Sequence, residues 1–149
     1  MTPVKTEDTV QGVMTRKPVT IRPDAPVRKA LQVMIKRDIG SLVVVRKGKP
    51  VGIITERDVT RRSLRPVRVG KQVYDRPVTS LMSRRLITAL PDTPVWEAFE
   101  KMVTRRIRRL PIVEKGHLVG IVTERDLFKW VIRVLYEPNI PSRIQRYLK

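Results

Sequence analysis

The sequence contains the same stretch of residues twice, and this duplication limits the folds that the chain can adopt. Residues 13–59 align without a gap on residues 81–127, and 22 of the 47 aligned positions are identical. The longest identical run is Thr-Glu-Arg-Asp, at residues 55–58 and 123–126. A repeat of this length is one supersecondary unit, and its apolar core is too small for it to be stable alone. We therefore expect one module built from two packed copies.

Each copy predicts the order strand, helix, strand, strand, helix. In the first copy, residues 19–22 are a short extended segment, and Asp24 is the predicted N-cap of the helix that follows. Apolar residues then recur at helical spacing, and two short strands follow, at 42–45 and 51–54, with a Lys-Gly turn between them. A second helix begins at Glu56. The same elements are expected 68 residues later, including Asp92 as an N-cap.

The predicted fold class is α+β, with two tandem β-α-β-β-α copies packed by pseudo-twofold symmetry. The expected boundaries are a first domain at 10–62, a linker at 63–77, a second domain at 78–136 and a basic tail at 137–149. Prolines and a glycine between the copies indicate that residues 63–80 have little regular structure. Pro138 is expected to end the last helix. Residues 142–149 read as a basic terminal helix, either a cap over the core or a site for a partner.

Basic residues greatly outnumber acidic ones. The 149 residues include 32 Lys and Arg against 14 Asp and Glu, for a formal net charge of +18. Ion-pair networks of heat-stable proteins need both signs in comparable numbers, so the excess indicates a surface that attracts phosphate groups. Without cysteine and with one histidine, the chain has no disulfide, thiolate nucleophile or cysteine-ligated metal site. No apolar run approaches the length of about 18 residues that spans a bilayer, so we expect a cytoplasmic protein with no membrane partner.

The Thr-x-x-Asp sequence at each strand-to-helix junction has two interpretations. In the first, Thr55 and Asp58 form a capping box and serve the helix alone. In the second, the junction is a ligand site, because a helix N-terminus attracts anions and a carboxylate accepts hydrogen bonds from neighbouring ribose hydroxyls. The two roles are compatible, since the threonine hydroxyl has one proton and two lone pairs.

The copies resemble the cystathionine β-synthase (CBS) domain, whose tandem pairs form the Bateman module. Three motifs carry the resemblance. The first is Val-Met-Thr-Arg at 13–16, repeated as Leu-Met-Ser-Arg at 81–84, and the second is Arg-Arg-Leu-Pro-Ile-Val at 108–113. The third is Gly-Ile-(Ile/Val)-Thr-Glu-Arg-Asp, at 52–58 and 120–126. The resemblance implies that adenosine compounds bind in clefts between the repeats and that the module forms a homodimer.

The resemblance also assigns roles to individual residues. The expected ribose-binding residues are Asp58 and Asp126, and the expected ribose- or phosphate-contacting residues are Thr55 and Thr123. The expected backbone contacts to the adenine edge are Thr20, Ile21, Pro23, Thr88, Ala89 and Pro91. The expected residues of the apolar wall and the phosphate approach are Ser41, Val43, Arg108, Arg109 and Pro111.

The copies differ where the first helix meets the middle strand. Copy one has Gly40 and Ser41 at the positions that Arg108 and Arg109 occupy in copy two. Because the planar guanidinium group suits phosphate oxygens, we expect two unequal sites, with the arginine site better for charged nucleotides. AMP, ADP and ATP are the favoured ligands because of these arginines, while S-adenosylmethionine and other adenosine compounds stay open. Mg²⁺ can accompany ATP, and no metal held by the protein is expected.

Three classes of function follow, in decreasing order of support. The first is a stand-alone regulatory module that senses adenine nucleotides and signals to a separate, unidentified protein. The second is a nucleic-acid-binding protein that uses the basic surface. An enzyme has the least support, because the sequence shows no nucleophile paired with a base, and no residue is predicted to be catalytic.

Overall fold

The structure, a computed structural model, describes residues 8–63 and 72–136. This part of the chain divides into two units, and each unit combines one copy of the repeat with a short segment from elsewhere in the sequence. The first-repeat unit contains residues 17–63, 72–87 and 115–118, and the second-repeat unit contains 8–16, 88–114 and 119–136. Residues 8–16, which lead into the first copy and include its first four residues, therefore belong to the unit of the second copy.

The elements repeat in the predicted order. In chain order they are β1 (Thr15–Arg16), β2 (Thr20–Ile21), α1 (Val27–Arg37), β3 (Ser41–Arg46), β4 (Lys49–Thr55), α2 (Glu56–Ser63), α3 (Gln72–Asp75), α4 (Val95–Arg105), β5 (Arg109–Glu114), β6 (His117–Thr123) and α5 (Glu124–Tyr136), with 3₁₀ turns at Val10–Gly12 and Val78–Ser80. Strands β2-β3-β4 form one sheet and β1-β6-β5 form the other. The predicted α+β class with two repeats is confirmed. The predicted first strand of copy two is reduced to one parallel bridge, between Ala89 and Ile112.

The sheet of the first-repeat unit follows from its connections. Strand β2 lies parallel to β3 because α1 crosses between them, whereas β3 and β4 are antiparallel and joined by a tight hairpin. Lys47 and Gly48 at its turn both have positive φ, of 50° and 78°. Such a two-residue turn matches the twist of the strands that it joins, which fixes the β3–β4 pairing.

The core of the first-repeat unit lies between α1 and one face of the sheet. Val27, Ala30 and Met34 recur at helical spacing and are buried, as the apolar pattern predicts. They belong to one apolar cluster with Leu42 and Ile54, which are both fully buried. Burial of such side chains stabilises the unit by about 1.5–3 kcal/mol each.

The prediction of an aspartate N-cap on the first helix of each copy is wrong. Helices α1 and α4 begin one residue after Pro26 and Pro94, and neither N-cap makes a side-chain hydrogen bond. Asp24 instead forms an exposed ion pair with Arg22 at 3.3 Å. The extended conformation of the proline preorganises the chain for the helix, so no capping side chain is needed at this end.

Short segments complete each unit in equivalent ways. The Val78 N–H donates to the Ala25 carbonyl at 2.8 Å in the first-repeat unit, and the Val10 N–H donates to the Thr93 carbonyl at 2.9 Å in the second-repeat unit. Both valines are fully buried. Each copy is thus closed by the segment that precedes the other copy.

The region between the copies is more regular than the sequence predicts. The prolines and the glycine predict little regular structure for residues 63–80, but the described part of this stretch contains α3 and the 3₁₀ turn at Val78–Ser80. Asp75 on α3 pairs with Arg28 on α1, which attaches this region to the first-repeat unit. The domain boundaries at 10–62 and 78–136 stay predictions. Pro138 and the basic tail at 137–149 lie outside the described residues.

No helix in the described part of the chain is both long enough and apolar enough to cross a membrane.

Candidate functional site

The strand-to-helix junction of the first copy forms a reciprocal cap. Thr55 is the last residue of β4, and Asp58 lies in the first turn of α2. The Thr55 N–H and hydroxyl both donate to Oδ2 of Asp58, each at 2.9 Å, and the Asp58 N–H donates to Thr55 Oγ1 at 3.1 Å. The capping-box interpretation is therefore confirmed for this junction.

The second copy repeats this cap. The Thr123 N–H and hydroxyl donate to Oδ2 of Asp126 at 2.8 and 3.1 Å, and the Asp126 N–H donates to Thr123 Oγ1 at 3.4 Å. The last bond is longer than its counterpart, so the second cap is slightly looser. Both aspartates are half-buried.

Each cap leaves one carboxylate oxygen open. Oδ1 of Asp58 and Oδ1 of Asp126 accept no hydrogen bond from any residue that the structure describes. An ionised carboxylate oxygen can accept two hydrogen bonds, so each Oδ1 can receive a pair of hydroxyl donors. The threonine hydroxyls have already given their protons to the caps, so toward a ligand they can only accept.

Four predicted site residues of the first copy share one face of its sheet. Thr20 pairs with Val43 across β2 and β3, and Ser41 pairs with Thr55 across β3 and β4. Residues that pair across strands, or that lie two apart on one strand, project to the same side. They form a continuous face that ends at the cap, and the fully buried Val43 makes its wall apolar.

Two other predicted residues of the first copy lie away from this face. The Ile21 side chain belongs to the core on the opposite side of the sheet, so only its backbone is available to a ligand. Pro23 is buried and contributes to the wall of a groove of about 560 Å³. The other residues that line this groove are Arg22, Asp24, Val45, Arg46 and Lys47. This groove lies at the carboxyl end of β3, about 16 Å along the strand from Ser41. The structure does not bring Pro23 to the cap.

Predicted backbone contacts of the second copy are partly occupied. The Ala89 N–H donates to the Pro111 carbonyl at 3.1 Å, and the Ala89 carbonyl accepts from the Val113 N–H at 2.9 Å. The Pro91 carbonyl accepts from the Gln11 N–H at 3.0 Å. Ala89 therefore has no backbone group left for a base, whereas Thr88 lies beside Pro111 on the face that also holds Arg109.

The two predicted arginines have different surroundings. Arg108 is exposed, and its Nε lies 3.9 Å from Oε2 of Glu124, an exposed pair that contributes little to stability. Arg109 begins β5 at the position equivalent to Ser41 and is half-buried. It has no acidic partner among the residues that the structure describes. The guanidinium group of Arg109 is therefore available to an anion.

The motif glycines are required by close packing. A Cβ on Gly52 would lie 2.5 Å from Sδ of Met82, and a Cβ on Gly120 would lie 2.4 Å from Sδ of Met14. Any other residue would displace the methionine or the strand. These glycines leave room for the closing segments, residues 72–87 in the first-repeat unit and 8–16 in the second-repeat unit.

Lys101 is a polar residue beside Thr88 that none of the sequence motifs predicts. Its Nζ donates to the Thr88 carbonyl at 3.1 Å, and the side chain is half-buried. Its counterpart in the first copy is Val33. The sequence signal for Lys101 is that a lysine in the second copy stands where the first copy has an apolar valine. In the described residues, no group of three or more His, Asp or Glu side chains could hold a metal ion.

The fold and the two capped junctions define an α+β protein of two tandem repeats. The family model for the CBS domain matches this chain twice, at residues 10–65 and 78–133. The chain belongs to the CBS-domain family and carries a tandem pair of these domains.

Relatives include proteins with and without further domains. CBS domain-containing protein YhcV of Bacillus subtilis is 34% identical over 118 residues, which cover 79% of this chain and 81% of that protein. Inosine-5'-monophosphate dehydrogenase of Thermoplasma acidophilum is 38% identical over 125 residues, which cover 83% of this chain but 23% of the enzyme. The CBS domain pair of protein MJ0100, solved in complex with 5'-methylthioadenosine and S-adenosyl-L-methionine, is 29% identical, with a TM-score of 0.72, and the match covers 87% of this chain and 97% of that one.

Proposed function

We propose that this chain is a regulatory protein that binds adenine nucleotides (AMP, ADP or ATP) and passes the signal to a separate protein. The open Oδ1 oxygens of Asp58 and Asp126 are the observation that carries the proposal. Each belongs to an aspartate held in place by its cap, next to an apolar strand face. Such an oxygen can accept one hydrogen bond from each of the two neighbouring hydroxyls of a ribose.

In the first site, the ribose donates to Oδ1 of Asp58. The base then lies along the face formed by Thr20 and Val43, where apolar contact and the β2 edge hold it. Ser41 at the start of β3 supplies a hydroxyl near the sugar and the first phosphate. This site has no arginine at the position of Ser41, so it suits ligands with little charge beyond the nucleoside.

In the second site, the ribose donates to Oδ1 of Asp126, and the phosphates meet Arg109 and Arg108. Half-buried Arg109 provides the stronger contact, because partial burial reduces the screening of its charge. We therefore propose two unequal sites, with phosphorylated nucleotides favoured at the second. Mg²⁺ enters as a companion of ATP, bound to its phosphates.

Regulation follows from differential binding. A ligand shifts a conformational equilibrium only by the difference between its affinities for the two states. A nucleotide that fits one arrangement of the chain better therefore increases the population of that arrangement. The bound adenosyl compounds of MJ0100 support a ligand of this class.

Calorimetric titration with AMP, ADP and ATP tests the proposal. Asp58→Asn and Asp126→Asn keep one oxygen that can accept the cap hydrogen bonds. The second oxygen, which accepts from the ribose hydroxyls, becomes an NH₂ group that cannot accept, and the negative charge is lost. Each variant is expected to lose binding at one site, with a decrease in affinity of about 10-fold or more, as for hydrogen bonds to charged groups.

Glu56→Gln and Glu124→Gln are the matched controls, because they remove the same charge from the same helix turns. These exposed side chains lie outside the caps, so both replacements are expected to keep the ribose contact. Glu56→Gln is expected to leave binding unchanged, whereas Glu124→Gln releases Arg108 from its ion pair and is expected to strengthen the phosphate contact of the second site. Equal binding by the Asp and Glu variants would contradict the role of the two aspartates.

The proposed assembly is a homodimer. The second-repeat unit exposes Trp96 and Val103 on α4 and Phe128 and Leu135 on α5, with exposed fractions between 59% and 74%. Exposed apolar side chains of this size indicate a protein interface. A homodimer would bury this surface on both chains.

The second candidate function is nucleic-acid binding. It is favoured by the excess of 32 basic over 14 acidic residues. The three ion pairs seen between described residues are all exposed, so they leave the basic surface open to an anionic partner. Arg105 and Arg106 are exposed near the second site and pair with no acid in this part of the chain. Steep loss of RNA or DNA retention with rising salt would support this function, and absence of retention at low salt would exclude it.

A further inference from the structure

The second site carries a cation for which the first site has no counterpart. Lys101 on α4 donates from Nζ to the Thr88 carbonyl at 3.1 Å. On α1 the equivalent residue is Val33, which packs against the core of the first-repeat unit. Thr20, the counterpart of Thr88, receives no hydrogen bond from a described side chain. The two copies therefore present different groups at the same position.

The Thr88 carbonyl faces away from the sheet. Ala89 directs both of its backbone groups toward β5, and successive residues of an extended strand direct theirs to opposite sides. The N–H of Leu90, on the same outer side, donates to Oγ1 of Thr93 at 3.1 Å. The Thr88 carbonyl and the Lys101 ammonium group thus form an acceptor and a donor side by side at the outer edge.

The distance from this edge to the cap of the second copy is about the length of a nucleoside. Thr88 is beside Pro111, and Pro111 is two residues from Arg109 on β5, the strand next to β6 and its cap. Strands about 4.8 Å apart and a rise of about 3.3 Å per residue place Thr88 about 12 Å from Thr123, the residue whose N–H and hydroxyl hold Asp126 in the cap. A nucleoside whose ribose donates to Asp126 and whose base is hydrogen-bonded at its far edge spans this separation.

We propose that Lys101 makes the second site selective for nucleotides of a 6-oxopurine, guanine or hypoxanthine. This inference rests on the proposed function, because it keeps the ribose and phosphate contacts of the second site, and it replaces adenine by a 6-oxopurine as the base preferred there. Lysine pairs with the O6 and N7 acceptors of a 6-oxopurine, whereas adenine places amino hydrogens where O6 would be. The N1–H of the 6-oxopurine then donates to the Thr88 carbonyl.

The first site is expected to keep the opposite preference. Val33 supplies no charge, so the Thr20 carbonyl acts as an acceptor alone and suits the amino group of adenine. One chain then responds to two classes of purine nucleotide: the first site prefers adenine, and the second site prefers a 6-oxopurine.

Titration with GMP and AMP tests this inference in the full chain. In the Asp58→Asn chain only the second site is measured, and we expect GMP to bind about 5- to 100-fold more tightly than AMP. Lys101→Met in the same background keeps the aliphatic stem but removes the ammonium group, and is expected to abolish that preference. Lys101→Arg keeps the charge and is expected to retain it. Lys29→Met, on the exposed side of α1, is the control for the loss of one charge.

The outcomes separate the inference from the proposed function. A GMP-to-AMP affinity ratio that is the same with Lys101, methionine or arginine would overturn the inference, while nucleotide binding that still depends on Asp126 would preserve the proposed function. Absence of any binding that depends on Asp126 would overturn both. If the methionine variant does not fold, a preference for AMP in the unmodified second site is sufficient to reject the role of Lys101.

Discussion

Replacing Val10 with alanine is expected to weaken the second-repeat unit, although Val10 precedes the first copy. Its side chain is fully buried, and its N–H bonds to the carbonyl of Thr93 in that unit. Loss of two methyl groups at about 0.8 kcal/mol each, together with the cavity that they leave, lowers the free energy of unfolding by about 2 kcal/mol. Val78→Ala is the matched variant and is expected to weaken the first-repeat unit by a similar amount.

Hydrogen exchange measured by mass spectrometry distinguishes the two variants. A loss of about 2 kcal/mol corresponds to exchange about 30-fold faster in the amides whose opening it promotes. Val10→Ala is expected to accelerate exchange in β5 and β6, and Val78→Ala in β3 and β4. The reverse pattern, or equal acceleration in both sheets for each variant, would refute the assignment of the closing segments.

Three further variants test other contacts. Gly120→Ala is expected to cost about 1–3 kcal/mol because its Cβ would overlap Met14, and Met14→Ala in the same chain should recover part of the lost melting temperature. Thr55→Ala removes a helix cap and should lower the free energy of unfolding by about 1 kcal/mol in urea denaturation, whereas Thr55→Ser should retain most of it. Trp96→Glu places a charge on the exposed α4 surface and should convert the proposed homodimer to a monomer in light scattering, with unchanged circular dichroism. A dimer that survives this change would contradict the proposed interface.

The caps were predictable because they depend on neighbours in the sequence. Thr55 and Asp58 are three residues apart, and so are Thr123 and Asp126, at junctions where an apolar strand ends and a helix begins. A helix start of this kind has few alternatives, since the first N–H groups need acceptors. The open oxygen could not be predicted, because it depends on both threonine donors sharing one carboxylate oxygen, and that is a matter of side-chain geometry.

The exchange of closing segments could not be predicted from the sequence. The segments that contain Met14 and Met82 are nearly alike, and both Gly52 and Gly120 leave room for a methionine. Either segment therefore suits either copy on local grounds, and only the three-dimensional path of the chain decides. Lys101 was missed for a similar reason, because a lysine on a helix usually indicates a solvated surface.

The exchange has a consequence for the origin of this architecture. A single repeat that preferred the closing segment of its neighbour could not complete its own core. As a separate molecule, such a repeat would need the closing segment of a second molecule, and in a twofold-symmetric dimer each molecule would supply that segment to the other. Joining two such repeats in one chain makes this exchange intramolecular, and both partners are then always synthesised together.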